Sequence, residues 1–233
     1  MITDLVKNFS SKARKKRADI FKKHFVIDKN TKILDLGSET GANIKNVLEG
    51  TLAEPENIYI ADIDERLVNI GEKLYGFRPV VIDETGRLPF DEKYFDIVYC
   101  SSVIEHVTIP KKEIWTCLSG KEFKARLLKR QQEFAHEIRR LGKQYFVQTP
   151  YKYFLVESHT WLPFIAFLPR LILVYLIKFT NMFWVKKTSP DWYLLNKLEF
   201  QSLFPEATII EERVLGLTKS LMAIKTDNNN KLG

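Results

Sequence analysis

A chain of 233 residues, 45% hydrophobic and 12% aromatic, holds enough apolar material for one core with an insertion and too little for two full domains. Lys7, Lys12 and the run "ARKKRAD" stand where a secretory signal would be apolar, and two cysteines, Cys100 and Cys117, are too few for a disulfide framework, so a cytoplasmic protein with reduced thiols is expected. The formal charge of +7 is uneven: residues 1–30 carry nine Lys/Arg against three Asp, and 111–145 carry ten against four Glu. Two basic patches of this kind suit phosphate-bearing substrates, an anionic membrane surface or nucleic acid, or are simply solvated helix faces.

The first predicted element is an amphipathic helix over 4–25, with Leu5, Phe9, Ala13, Phe21 and Phe25 set among lysines. "KILDLG" (32–37) follows as a buried strand, and "ANIKNVLEG" has helical spacing that stops on Gly50. "NIYIADID" (57–64) is a second strand and "ERLVNIGEKLY" a helix. "PVVID" (79–83) and "YFDIVYCSS" (94–102) are the third and fourth strands. A long helix over 121–142 leads to a fifth strand, "KQYFVQTP", stopped by Pro150. Apolar strands alternating with helices imply a parallel sheet covered on both faces. "ATIIEERVLG" and "SLMAIK" are joined too tightly for a crossover helix and should pair antiparallel. The tail "TDNNNKLG" has the composition of disorder.

In a sheet of this kind ligands bind beyond the carboxyl ends of the strands, where strand order reverses. Asp35, Asp62 and Asp83 are expected there, after the first three strands. Asp62 lies 21 residues beyond Gly41, the spacing at which an acid takes both hydroxyls of a ribose. The ordered set "ILDLGSETG", "IADID", "VVIDETGRLPFDEKYFDIVYCSSVIEHV" and "QYFVQTP" resembles the class I S-adenosylmethionine-dependent methyltransferases, in the type 11 branch.

That resemblance implies an α/β, Rossmann-like, doubly wound sheet in a three-layer sandwich, mostly parallel and finished by an antiparallel hairpin. It implies one domain: a basic helix at 1–30, a cofactor-binding core at 31–150, a helical lid at 151–190 and the hairpin region at 191–226. Carried over by position, Gly37 and Gly41 let the backbone approach the cofactor's amino-acid end, with Asp35 anchoring the loop and Ser38 and Glu39 within it. Asp62, with Ile63 beside it, holds the ribose, and Asp83 and Glu84 border the adenine. Ser101 and Ser102 lie under the reactive methyl, or else cap a helix. Glu105 and His106 stand near the cofactor or the substrate entrance.

Glu39 departs from the family's glycine-rich turn. A carboxylate about 5 Å from a pyrophosphate costs roughly 3 kcal/mol per charge at an effective dielectric near 20. It is tolerable beside a sulfonium and an ammonium, so it argues against a nicotinamide or flavin dinucleotide, while leaving open a weakened or non-catalytic cofactor site. His159, read as following directly from the fifth strand, and His106 are the candidate general bases for a hydroxyl acceptor, with Glu157 orienting His159, or they are structural. His24 and His136 lie on basic helices without a role, and with the cysteines unpaired and the histidines scattered, no metal cluster is expected.

Residues 151–190 exceed a simple connector and read as a lid or a pair of side helices. "YFLVESHTWLPF" within them resembles a segment of bacterial methyltransferases, some encoded with cell-surface glycan genes. The apolar stretch 162–184 is interrupted by Pro163, Pro169, Arg170 and Lys178 and is too short to span a bilayer. It is a packed lid helix, or an interfacial one with Arg170, Lys178, Lys186 and Lys187 meeting lipid headgroups at the inner membrane face. The expected reaction is methyl transfer from S-adenosyl-L-methionine to an oxygen or nitrogen of a small or lipid-linked, glycan-type acceptor. The alternatives are a non-catalytic binding protein on the same fold and an RNA methyltransferase; no aromatic-interleaved basic motif supports the latter. The oligomeric state is left open.

Overall fold

The computed structural model describes residues 2–83, 85–156, 159–184 and 186–227. A long helix α1 (Ile2–His24) precedes β1 (Ile33–Leu36), α2 (Ala42–Val47), β2 (Ile58–Asp62), α3 (Glu65–Tyr75) and β3 (Arg78–Val81). Then come β4 (Phe95–Ser101), α4 (Gly120–Leu141), β5 (Gly142–Pro150), α5 (Arg170–Thr180), α6 (Lys197–Leu203), β6 (Thr208–Val214) and β7 (Leu217–Lys225). The seven strands form one sheet in the order β3-β2-β1-β4-β5-β7-β6. β1 pairs parallel with both β2 and β4, and β2 parallel with β3, so strand order reverses at β1. β6 and β7 pair antiparallel, as the short connection between them requires.

The chain divides into two compact units, one of residues up to Cys100 with Arg140–Phe146 and Thr226 onward, the other of Ser101–Arg139 and Val147–Lys225. In the first, all four residues of β1 are buried, as are Ile58–Ala61 of β2. Apolar runs buried on both faces are what a central parallel strand demands. Phe21 of α1 meets Tyr99 and Phe146 edge-on at 5.3 and 5.6 Å, and those two rings stack at 5.4 Å. α3 begins on Asp64, whose side chain accepts from the Arg66 amide, and ends on Gly76 in the left-handed conformation. Gly71 in its middle has a packing reason: a Cβ there would stand 2.4 Å from the Thr40 carbonyl oxygen and 2.4 Å from Ile60 Cδ1.

In the second unit, the segment expected to hold a lid or helix pair contains, among its described residues, one α-helix, α5, preceded by a single 3-10 turn at Ile165–Phe167. Prolines at 163 and 169 confine regular helix to the stretch after them. Leu173 and Ile177 of α5 pack on Ile165, Trp192 and Leu194. Arg170, which the interfacial alternative places at lipid headgroups, is buried: its guanidinium donates to the carbonyls of Cys117 at 3.0 Å, Pro190 at 2.8 Å and Ile114 at 2.8 Å, and lies 3.5 Å over the Phe123 ring. The planar fork ties three backbone segments together and satisfies their carbonyls, a structural task that a charge count does not foresee. α6 starts with a capping box between Asn196 and Glu199. Cys100 and Cys117 are buried and form no disulfide.

Candidate functional site

In the first unit, the turn after β1 is built on backbone bonds to β2. Gly37 and Ser38 both donate through their amides to the Ala61 carbonyl, at 2.8 and 3.2 Å, and the Gly41 amide closes the turn on Ser38 O at 2.9 Å. Gly41 holds φ 75°, and a Cβ on it would meet Ile60 Cγ2 at 2.8 Å, so no larger residue fits. Glu39 also takes a left-handed φ of 52° but its side chain is exposed. The room anticipated as its difficulty is therefore available, and the cost of the substitution falls on the backbone, about 1 kcal/mol. Its amide donates to Asp62 Oδ2 at 2.9 Å, while Asp62 Oδ1 accepts from the Asp64 amide at 3.1 Å. Asp62 thus ends β2 with both oxygens held in place, and Ile63 beside it is 62% exposed.

Asp35 differs from its expected place beyond the strand end: it lies within β1, in register between Ile60 and Tyr99, and is only 3% exposed. Burial, with the charge of Asp62 adding to it, raises its carboxyl to about 8. Its Oδ2 is buried without a hydrogen-bond partner. Asp83 is exposed, and its Oδ1 accepts from the amide and hydroxyl of Thr85 at 2.9 and 2.5 Å, bonds that lower its carboxyl. Glu84 and Glu157, expected beside the adenine and behind His159, lie outside the described residues.

In the second unit, the hydroxyls of Ser101 and Ser102 both donate to Gln148 Oε1, at 2.7 and 3.1 Å, and the Ser102 amide donates to Gln148 O at 2.9 Å. Neither serine caps a helix: the 3-10 turn that follows starts from Val103 with no side-chain cap. Glu105, fully buried, accepts from Thr149 Oγ1 at 3.0 Å through Oε2, and its Oε1 has no hydrogen-bond partner. Burial raises its carboxyl, opposed by His159 and His106. β5 stops at Pro150, so His159 does not follow it directly but sits in a turn further on. There its ring meets His106 edge-on at 4.6 Å and stacks on Trp192 at 5.4 Å. His106 Nδ1 in turn lies 3.7 Å from Asp191 Oδ1. The histidines that spacing alone scatters are neighbours in the fold, close to a buried acid. Gln148, Thr149, Asp191 and Trp192 escape a sequence reading; the one signal for the first two is a polar pair directly after the apolar "YFV" of β5.

Residues 34–120 match the family model of the methyltransferase domain. They carry a methyltransferase domain, and the match supports S-adenosylmethionine as its cofactor. The match takes in the β1 turn, Asp62, Asp83, both serines, Glu105 and His106, and stops short of His159. Two solved structures share the fold. A protein of Pyrococcus horikoshii OT3 aligns at TM-score 0.50 and 15% identity over 84% of this chain and 81% of its own. A protein of Nostoc punctiforme PCC 73102 described as a "putative O-methyltransferase" aligns at 0.51 and 15% over 92% of this chain and 56% of its own. A S-adenosylmethionine-dependent methyltransferase of Aquifex aeolicus aligns at 0.47 and 14% over 88% and 86%. No curated protein sequence matches the chain.

The methyltransferase domain's own residues fit its cofactor. The acids of its first three strand regions and Glu39 make a donor set for cations and hydroxyls, not for a doubly anionic pyrophosphate. The Oδ2 of Asp35 is buried without a hydrogen-bond partner, a polar atom that a hydrogen-bonding group of a ligand would satisfy. Gly37 and Gly41 both hold a positive φ in this turn and carry no Cβ.

Proposed function

We propose that this methyltransferase acts on a hydroxyl or amine of an amphiphilic, lipid-linked acceptor met at an anionic membrane surface. The observation that carries this reading is the outer surface of α5 and the segments flanking it. Ile172 is 49% exposed, Phe179 61%, Met182 79% and Phe183 63%, and Phe164 and Phe167 are exposed as well. Exposed aromatic and apolar side chains concentrated on one short segment mark an interaction surface, since soluble surfaces scatter them singly. Lys178 and Lys187 are exposed on the same segment, and Lys178 Nζ lies 5.8 Å over the Trp115 ring and 5.5 Å over that of Tyr175. Lysines beside an apolar face suit interfacial binding. No helix among the described residues is long and apolar enough to cross a membrane, so contact of this kind is peripheral.

On this reading Asp62 accepts from the ribose hydroxyls, with its carboxylate held by the amides of Glu39 and Asp64. Ile63 offers an apolar surface to the adenine, and the β1 turn receives the amino-acid end. The cofactor, when bound, supplies a methyl group on a sulfonium, and the protein's contribution is chiefly to fix the partners in line for direct transfer.

Flotation with vesicles of phosphatidylcholine alone and with added phosphatidylglycerol tests the acceptor class. The protein should float with the anionic vesicles, and Phe179→Glu with Met182→Glu should keep it at the bottom of the gradient without changing its melting temperature. Wild-type protein that stays down with both vesicle types, while methylating a water-soluble acceptor, would contradict the membrane reading.

A further inference from the structure

Within the second unit, Glu105, His106 and His159 each present one ligating atom, and the three atoms all lie within 4.8 Å of one another. We propose that these side chains bind a divalent transition ion of the zinc type. Two imidazole nitrogens and one carboxylate oxygen form the donor set of three-ligand sites for zinc and its first-row neighbours, sites that keep a position open for water or a substrate oxygen. Bonds of about 2.0–2.2 Å place neighbouring donors roughly 3.4 Å apart around a tetrahedral ion, so binding draws the three atoms inward by about 1 Å. The His106 side chain, 38% exposed, has room for that movement.

The surroundings select the ligating atoms. Thr149 Oγ1 donates to Glu105 Oε2 and leaves Oε1, which is buried and without a hydrogen-bond partner, as the metal-facing oxygen. Asp191 Oδ1 lies on the Nδ1 side of His106, an arrangement that orients a ring to ligate through Nε2 and makes that nitrogen more basic. His159 is held flat against Trp192, at 12° between ring planes. The Tyr193 amide donates to Glu105 O at 2.8 Å, fixing the chain that bears Asp191 and Trp192 against the acid. A fully buried carboxylate with one unsatisfied oxygen is costly in a fold, and a bound cation removes that cost.

The full chain, untagged and stripped with a chelator, is titrated with cobalt(II), followed by its visible ligand-field bands, and with zinc(II) by calorimetry. One equivalent of each should bind. His106→Gln should weaken binding by at least about 100-fold and Asp191→Asn by about 10–100-fold, as outer partners of ligating histidines do. His24→Gln, on α1, should bind as wild type. Circular dichroism checks the variants, and His106, being partly exposed, keeps the test valid if a change at Glu105 prevents folding. Absence of uptake at millimolar cobalt and zinc would overturn the site. Equal uptake by His106→Gln would place the ion elsewhere and overturn it as well.

Discussion

At the scale of single residues, the methyltransferase turn is governed by carboxylates whose surroundings differ sharply. Asp62 is held by two backbone amides, and Asp83 is bonded by Thr85 in the open. Asp35 is buried in β1 with its carboxyl raised to about 8. The folded chain therefore keeps a proton on Asp35 that the unfolded chain releases above about pH 4. Its contribution to stability is complete below that value and is lost as pH rises through about 8. Asp35→Asn removes the linkage. Thermal melts from pH 4.5 to 8.5 should show the variant gaining on the wild type by at least about 1.4 kcal/mol, the equivalent of one pKa unit. A difference that stays constant across this range would mean that Asp35 is ionised in the folded chain. Glu39 belongs at this scale too. Its side chain occupies solvent, so its cost is a left-handed backbone and its effect on ligands is electrostatic.

At the scale of elements, β1, β2, α3 and the turn between β1 and α2 act as one clamp. Asp62 reaches the turn through the Glu39 amide, and Ala61 O accepts from both Gly37 and Ser38. α3 presses on the same turn through Gly71, whose missing Cβ leaves space for Thr40 O. Gly71→Ala forces that contact to open. Because the colliding atoms include backbone, the variant should lose about 1–3 kcal/mol of stability by chemical denaturation, with weaker cofactor binding as the turn shifts. Unchanged stability would show that the helix can move away from the turn freely. These elements were readable from composition and spacing because each carries its own signal: buried apolar runs, a capping Asp64, a stopping Gly76. Arg170 and the Glu105–His106–His159 group were not. Their meaning comes from partners distant in sequence, and a charged residue inside an apolar stretch reads the same whether it meets lipid or three buried carbonyls.

At the scale of the molecule, the parallel strands and the antiparallel end are what the sequence patterns imply, while the doubly wound arrangement, with its reversal at β1, is what the family resemblance implies. The segment between β5 and α6 is the least legible part, because prolines break its periodicity and α5 is buried against Trp192 and Leu194, which come later in the same segment. If S-adenosylmethionine binds as proposed, the carboxylates of the first unit hold it. Isothermal titration of the full chain with S-adenosylmethionine tests it most directly, beside NADH and the Asp62→Ala variant. Binding of S-adenosylmethionine at one equivalent, no heat with NADH, and a loss of at least about 100-fold in Asp62→Ala, roughly 2.7 kcal/mol, is the predicted result. No binding of S-adenosylmethionine up to the millimolar range, or affinity undiminished in Asp62→Ala, would contradict it.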